Sequence, residues 1–151
     1  MRRFCILITF ILINTLTGFA PVIKEFVIIS PTPMYVTHNP QAVLQAMIYI
    51  ESGNKGNEAY NPNEPQAVGV LQIWPIFVED INRIVGYEKY SLNDRLDENK
   101  SIEMFWIYQK YYNPEMDTDK MCRIWCGGPD GCEQDSTLEY LHLVRTKLYN
   151  G

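Results

Sequence analysis

The sequence predicts one mainly helical α+β domain, and three observations support this prediction. The chain has 151 residues, of which 46% are apolar and 21% charged, so it can bury one core, and its composition is typical of a globular protein rather than a disordered one. Helix-starting and helix-stopping residues follow one another from residue 39 to the end. Segment 54–74, rich in Gly, Asn and Pro, is the best place for a small β element. We therefore divide the chain into residues 1–20, 21–38 and 39–151.

The first twenty residues have the layout of a secretory signal. Arg2 and Arg3 form a positive start, residues 4–13 are apolar, and small residues precede a cleavage position after Ala20. Pro21 would directly follow that cut, so the alternatives are cleavage nearby or retention as an N-terminal membrane anchor. Residues 21–38 contain a β-branched stretch and two prolines, and we expect a short extended arm there.

Five helices are predicted after the arm. Asn39 caps the first, which runs from Pro40 to Glu51 and stops at Gly53. The second covers 75–85 and ends at Gly86; the third, capped by Asp97, passes through residue 109 and ends before residue 113. A fourth covers about 118–125. The last begins at residue 136, with capping-box spacing to residue 139 and a stripe formed by residues 140, 144 and 148.

The charge balance argues against one class of partner. The net charge is −5, and the sequence contains no cluster of Lys and Arg residues. A nucleic-acid-binding protein would normally present a basic face, so we expect no nucleic-acid partner.

Three cysteines lie within eleven residues near the C-terminus. In an exported protein this arrangement favours one local disulfide, joining Cys122 or Cys126 to Cys132, and one remaining thiol; Cys5 lies in the export segment. Zinc is the weaker alternative, because only His142 is near in sequence and no CxxC pair exists.

Glu51 is the most informative residue. Leu44, Ile48 and Glu51 have helical spacing, so a carboxyl group falls on the apolar stripe at the end of the first helix. Burial of a carboxyl group raises its pKa, which a proton donor near neutral pH requires. The alternative is that Glu51 reaches past Gly53 into solvent.

Several segments in order resemble one enzyme family. Residues 51–53 read Glu-Ser-Gly, a polar loop contains Asn61-Pro62, residues 67–73 read Ala-Val-Gly-Val-Leu-Gln-Ile, and residues 123–129 read Arg-Ile-Trp-Cys-Gly-Gly-Pro. Thr137 and Tyr140 follow in the closing helix. Together they resemble the lytic transglycosylase and goose-type lysozyme family (SLT-type domains) over about 40–150.

The resemblance implies a lysozyme-like domain that binds alternating N-acetylglucosamine and N-acetylmuramic acid units in a groove. Glu51 would protonate the glycosidic oxygen, and the substrate-contacting positions would be Ser52, Asn61, Gln72, Trp74 and Trp125. Gln72 would bind an acetamido group, although a buried amide that binds main chain is the alternative. Trp125 takes the place of a Tyr that orients the acid, with plain core packing as its alternative. Cys126 departs from the family, which has Asn there.

The expected function is therefore cleavage of the β-1,4 bond between N-acetylmuramic acid and N-acetylglucosamine in peptidoglycan. No second carboxylate is fixed opposite Glu51 by pattern, although Glu58, Glu64, Glu79 and Asp80 are available. This favours a transglycosylase that forms 1,6-anhydro ends over a hydrolysing lysozyme. Two non-enzymatic functions compete with this prediction: a catalytically silent peptidoglycan-binding module and a small helical interaction protein. We expect an exported monomer, periplasmic or extracellular, with no metal and no organic cofactor.

Overall fold

Five α-helices make up most of the described chain, which in this computed structural model comprises residues 38–53 and 55–150. Short 3-10 turns lie between several of them. The mainly helical class predicted from the sequence is confirmed. The helices are α1 (Pro40–Ser52), α2 (Pro75–Val85), α3 (Glu98–Tyr112), α4 (Thr118–Gly127) and α5 (Thr137–Asn150), and the 3-10 turns are Gly56–Glu58, Leu92–Leu96 and Gly131–Glu133.

The ends of α1 and α2 follow from local chemistry. The side chain of Asn39 accepts a hydrogen bond from the main-chain nitrogen of Gln41 at 2.9 Å, and Pro40 occupies the first turn. Gly53 ends α1 and Gly86 ends α2, both with left-handed backbone (φ 55° and 86°), which costs glycine little. The predicted ends of α2 are confirmed, and α1 extends one residue beyond the prediction.

The remaining helices also begin near their predicted starts. Asp97 and Asp117 each accept a hydrogen bond from the main-chain nitrogen three residues later, at the starts of α3 and α4. Helix α3 extends to Tyr112, α4 reaches Gly127, and α5 begins at Thr137, one residue after the predicted start. Differences of one to three residues are ordinary at helix ends.

The core lies where α1, α2, α3, α4 and α5 meet. Phe105 on α3 is fully buried and is the largest such side chain. Helix α1 contacts α4 and α5, α2 contacts α3, and α4 contacts α5. Burial of these apolar side chains is the main stabilising term for such a domain. The other large, fully buried apolar side chains are Leu44, Met47, Leu71, Ile73, Ile81, Met104, Met121 and Ile124.

The segment expected to hold a small β element contains only isolated bridges among the described residues. Val68 pairs in antiparallel fashion with Tyr60 and with Ile73. The chain turns back after Gly69, and the Gln72 main-chain nitrogen donates to the Gly69 carbonyl at 3.1 Å. The turn is too short for a ladder to extend, so the β character is limited to these bridges.

Arg95 holds this turn against the 3-10 turn Leu92–Leu96. Its Nη1 donates to the carbonyls of Gln66 (2.8 Å) and Ile73 (3.0 Å), at the two ends of the loop 66–73. A Cβ atom added at Gly69 would overlap the Arg95 carbonyl oxygen. The loop and the 3-10 turn therefore pack main chain against main chain, which only glycine permits at position 69.

The predicted disulfide is wrong. Cys122, Cys126 and Cys132 are all free thiols. Cys122 is buried in the core on α4, whereas Cys126 and Cys132 are exposed. A disulfide requires two Cβ atoms about 4 Å apart that face each other, and these three side chains are not arranged so.

Three predictions concern the N-terminal part of the chain. The export segment 1–20, with Cys5, and all but the last residue of the arm 21–38 lie outside the described residues. Among residues 38–53 and 55–150, no helix is long and apolar enough to span a bilayer.

Two glycine substitutions test the packing of the loop 66–73. Gly69 and Gly86 both have positive φ, but the space around Gly86 is open. We expect Gly86→Ala to lower the free energy of unfolding by about 1 kcal/mol, the cost of left-handed backbone. Gly69→Ala should cost about 3 kcal/mol or more, because the overlap with Arg95 must also be relieved. Urea denaturation measures both; equal losses would contradict the close packing.

Candidate functional site

An open cleft of about 910 Å³ runs along one side of the domain. It is formed by the end of α1, the turn before α2, the faces of α2 and α3, the end of α4 and one residue of α5. Its wall is mostly aromatic and acidic. The lining residues are Glu51, Glu64, Gln72, Ile73, Trp74, Ile76, Phe77, Glu79, Asp80, Arg83, Tyr108, Tyr112, Trp125, Cys126, Gly128, Pro129 and Tyr140.

Glu51 lies on the wall of this cleft, one residue before the end of α1. Trp125 donates a hydrogen bond from Nε1 to Glu51 Oε1 at 3.1 Å, and the Tyr140 hydroxyl donates to the same oxygen at 2.6 Å. Burial raises the pKa of the Glu51 carboxyl, against the lowering effect of these two hydrogen bonds. The alternative that Glu51 points into bulk solvent is wrong.

The two oxygens of Glu51 have different surroundings. Both hydrogen bonds from the described residues go to Oε1. Oε2 receives none from them, and it is not among their fully buried polar atoms without a partner. Because Oε1 already accepts two donors, a proton on this carboxyl group is carried on Oε2. The carboxyl group can therefore present a transferable proton to a molecule in the cleft.

Trp125 is held in place by an aromatic cluster. Its ring centroid lies 4.9 Å from that of Phe77 and 5.1 Å from that of Phe105, with the Phe77 ring edge-on and the Phe105 ring tilted. Tyr108 completes the cluster at 6.4 Å. Such packing fixes the indole in one orientation. Trp125 is thus both a core-packing residue and the donor that orients Glu51.

Tyr140 was missed as a functional residue at the level of sequence, where it entered only as part of a helical stripe and of the family resemblance. Burial raises its pKa well above the usual value for a phenol, and the charge of Glu51 adds to the effect. The hydroxyl therefore stays protonated and remains a donor. The available signal was the same one that identified Glu51: a polar group on the apolar stripe of a helix.

Gln72 and Trp74 both line the cleft. The Gln72 backbone is left-handed (φ 48°), and its Nε2 donates to the carbonyls of Gly69 (2.9 Å) and Ala59 (3.2 Å). The amide nitrogen thus binds main chain within the loop, and Oε1 is the atom left for a ligand. The Trp74 side chain is 40% exposed, which leaves much of its surface open to the cleft.

Ser52 and Asn61 do not lie in the cleft wall. Ser52 is buried, and its hydroxyl donates to the Ile48 carbonyl at 2.7 Å within α1. The Asn61 side chain accepts a hydrogen bond from the Asn63 main-chain nitrogen at 3.0 Å, which closes a local turn. Both side chains have structural partners, so the predicted substrate contacts at these two positions find no support in their placement.

Three of the four carboxylates considered as partners of Glu51 line the cleft: Glu64, Glu79 and Asp80. Glu58 does not. The charge of Glu64 makes a small contribution to the raised pKa of Glu51, so the two carboxyl groups that line the cleft interact. Asp80 is engaged by the guanidinium of Arg83 at 2.6 Å.

Cys126 lines the cleft at the position where the resemblance predicts Asn. The residue is exposed overall, but partial desolvation of its sulfur raises the pKa of the thiol, so the thiol form is favoured. No grouping of three or more His, Cys, Asp or Glu side chains suited to a metal ion occurs in residues 38–53 and 55–150.

Comparison of the chain with protein-family models, with curated proteins and with solved structures finds no match.

A tyrosine substitution tests the electrostatics of Glu51. The Tyr140 hydrogen bond favours the carboxylate, so Tyr140→Phe should raise the pKa of Glu51 further. An NMR titration of the labelled glutamate carboxyl carbons measures this shift directly. Tyr149→Phe is the matched control, because Tyr149 lies on the same helix but is exposed and away from Glu51.

The raised pKa of Glu51 also predicts how the stability of the protein depends on pH. A carboxyl group whose pKa is raised by folding destabilises the protein progressively as pH rises from the unfolded pKa through the folded one. The free energy of unfolding of the wild type should therefore fall across that window relative to Glu51→Gln.

A Glu51 pKa that is unchanged or lowered in Tyr140→Phe would show that the hydroxyl does not stabilise the carboxylate.

Proposed function

We propose that this domain cleaves the β-1,4 bond between N-acetylmuramic acid and N-acetylglucosamine in peptidoglycan, as a lysozyme-like lytic transglycosylase. Glu51 is the general acid and base. The proposal places the protein outside the cytoplasmic membrane, periplasmic or extracellular, where its substrate lies, and it requires no metal or organic cofactor.

The observation that carries the proposal is the environment of the Glu51 carboxyl group. It lies in the wall of a large open cleft, its pKa is raised by burial, and one of its oxygens is held by two donors. A carboxyl group that keeps its proton to higher pH and cannot rotate freely is suited to general acid catalysis.

The reaction needs only this one carboxyl group. Glu51 Oε2 gives its proton to the glycosidic oxygen as the bond to the muramic acid anomeric carbon breaks. The resulting carboxylate then takes the proton of the 6-hydroxyl of the same muramic acid, whose oxygen attacks that carbon. The products are a free 4-hydroxyl and a 1,6-anhydro ring, and Glu51 regains its proton. Trp125 and Tyr140 stabilise the carboxylate between the two steps.

The cleft wall has the composition that a glycan needs. Exposed apolar surface from Trp74 and Ile76 suits the flat faces of sugar rings. Oε1 of Gln72 can accept a hydrogen bond from an acetamido nitrogen, since Nε2 is already used by main chain. These features support a saccharide as the occupant of the cleft.

The Glu51→Gln variant tests the proposal. Gln keeps an oxygen that accepts from Trp125 and Tyr140 but has no transferable proton. We expect release of soluble muropeptides from purified sacculi to fall at least about a hundredfold, the size of a lost general acid. Glu115→Gln, on an exposed residue outside the cleft, is the control and should retain wild-type activity.

Two results would refute the enzymatic proposal. Near-normal release by Glu51→Gln would remove Glu51 from the mechanism. Binding of the wild type to sacculi without any release would favour the peptidoglycan-binding module instead.

Glu64 supports a second candidate, a hydrolysing lysozyme. It lines the same cleft, and its charge acts on Glu51. A carboxylate across a cleft from the acid can activate water for attack on the opposite face of the sugar.

Substitution of Glu64 separates the two mechanisms. If Glu64 activates water, Glu64→Gln should lose activity about a hundredfold, and the wild type should release reducing ends. If the protein is the transglycosylase that we propose, the products of the wild type and of Glu64→Gln both have 1,6-anhydro ends. The alkaline limb of the pH–activity profile of Glu64→Gln then lies at lower pH than that of the wild type, because the Glu64 charge, which raises the pKa of Glu51, has been removed. Mass spectrometry of the released muropeptides decides.

A further inference from the structure

A second charged group at the cleft is independent of Glu51. It consists of Asp80 and Arg83 on α2 and Tyr112 on α3, all of which line the cleft. Arg83 Nε and Nη2 donate to Asp80 Oδ1 at 2.8 and 2.6 Å, and Nη2 also donates to the Tyr112 hydroxyl at 2.7 Å. The Tyr112 hydroxyl donates in turn to Asp80 Oδ2 at 3.1 Å. Each of these three side chains is therefore oriented by hydrogen bonds with the other two.

This closed set of hydrogen bonds fixes the orientation of the guanidinium. The Arg83 guanidinium carbon also lies 5.7 Å from the centre of the Tyr111 ring, which supports it from another side. Among the described residues, Nη1 makes no hydrogen bond of ordinary length, although the Tyr111 side chain lies close to the guanidinium. Because Nε and Nη2 are already occupied, Nη1 is the nitrogen that can donate to one oxygen of a carboxylate.

The location of Arg83 indicates which carboxylate would reach it. The Arg83 side chain is 55% exposed, so the guanidinium lies at the rim of the cleft rather than on its floor. A glycan in the cleft would direct its substituents past the rim toward solvent. In peptidoglycan these substituents are the peptides attached to muramic acid, and they carry carboxylates.

The charges in the cleft limit how strong this recognition can be. Among the described residues that line the cleft, Arg83 is the one cation, while Glu64, Glu79 and Asp80 are acidic. Asp80 already neutralises Arg83, so a free anion gains little there. A carboxylate tethered to a bound glycan gains more, because its local concentration is high.

We propose that Arg83, held by Asp80 and Tyr112, binds a carboxylate of the peptide attached to muramic acid and so selects peptide-bearing over peptide-free glycan. This inference rests on the proposed function and specifies its substrate class. Arg83 contributes to specificity and takes no part in bond cleavage.

The test compares three soluble substrates: peptide-bearing glycan strands, the same strands with their carboxylates converted to amides, and strands whose peptides have been removed by an amidase and whose exposed lactyl carboxylates have then been converted to amides. We expect the wild-type kcat/KM to be about two- to fivefold higher for the first than for the other two, the size expected of an exposed ion pair. In Arg83→Gln this ratio should fall to about one.

Two further variants keep the test specific. Arg145→Gln is the matched control, because Arg145 is also half-exposed and paired with an aspartate, Asp119, but does not line the cleft; its ratio should equal the wild-type ratio. Tyr112→Phe removes one hydrogen bond that orients Arg83 and should give an intermediate ratio.

Failure of this inference is distinguishable from failure of the proposed function. If the wild type cleaves the three substrates equally, or if Arg83→Gln keeps the preference, the role of Arg83 is refuted while the glycosidase remains. If the wild type cleaves nothing, the dissociation constants of the same strands with Glu51→Gln still measure the preference without turnover. Equal dissociation constants would then refute it.

Discussion

The structure depends most on the partial burial of one carboxyl group beneath two hydrogen-bond donors. Taking the Glu51 carboxylate out of water is costly, and the hydrogen bonds from Trp125 and Tyr140 offset only part of that cost, since the pKa remains raised. The acid comes from α1, the indole from α4 and the phenol from α5. Three helices must therefore meet within hydrogen-bond distance of one oxygen, which ties the packing of the core to the chemistry of the cleft.

Helix ends were predictable from the sequence because their causes are local. Asn39, Gly53 and Gly86 act on main-chain groups within four residues, so the pattern contains both partners. The stripe of α1 places Glu51 on an apolar face but leaves open a side chain that reaches solvent, and the family resemblance is what favours the acid. The stripe of α5 likewise contains Tyr140 but does not predict its contact with Glu51, because the partner lies 89 positions away and periodicity does not tell which face of one helix meets which face of another. The resemblance named the segment but not this contact.

The two kinds of failure in the prediction have one origin. The predicted disulfide rests on closeness in sequence and on an oxidising compartment. Neither determines the direction in which a Cβ atom points. In the structure, α4 directs Cys122 into the core and leaves Cys126 exposed. Asn61 was assigned to a substrate by its position in a motif, whereas its side chain closes a turn with Asn63. In both cases a short-range pattern was used to infer a side-chain direction that only the packed structure determines.

The two walls of the cleft are supported by separate means. The wall with Glu51 is fixed by aromatic packing around Trp125. The wall with Gln72 belongs to a loop that forms no β ladder. There Arg95 donates hydrogen bonds to main-chain carbonyls that a neighbouring strand would otherwise bind. Desolvation by burial lowers the pKa of that guanidinium, whose hydrogen bonds go to main-chain carbonyls. Because no side chain is shared between these two supports, a substitution that disturbs the loop with Gln72 need not displace Glu51.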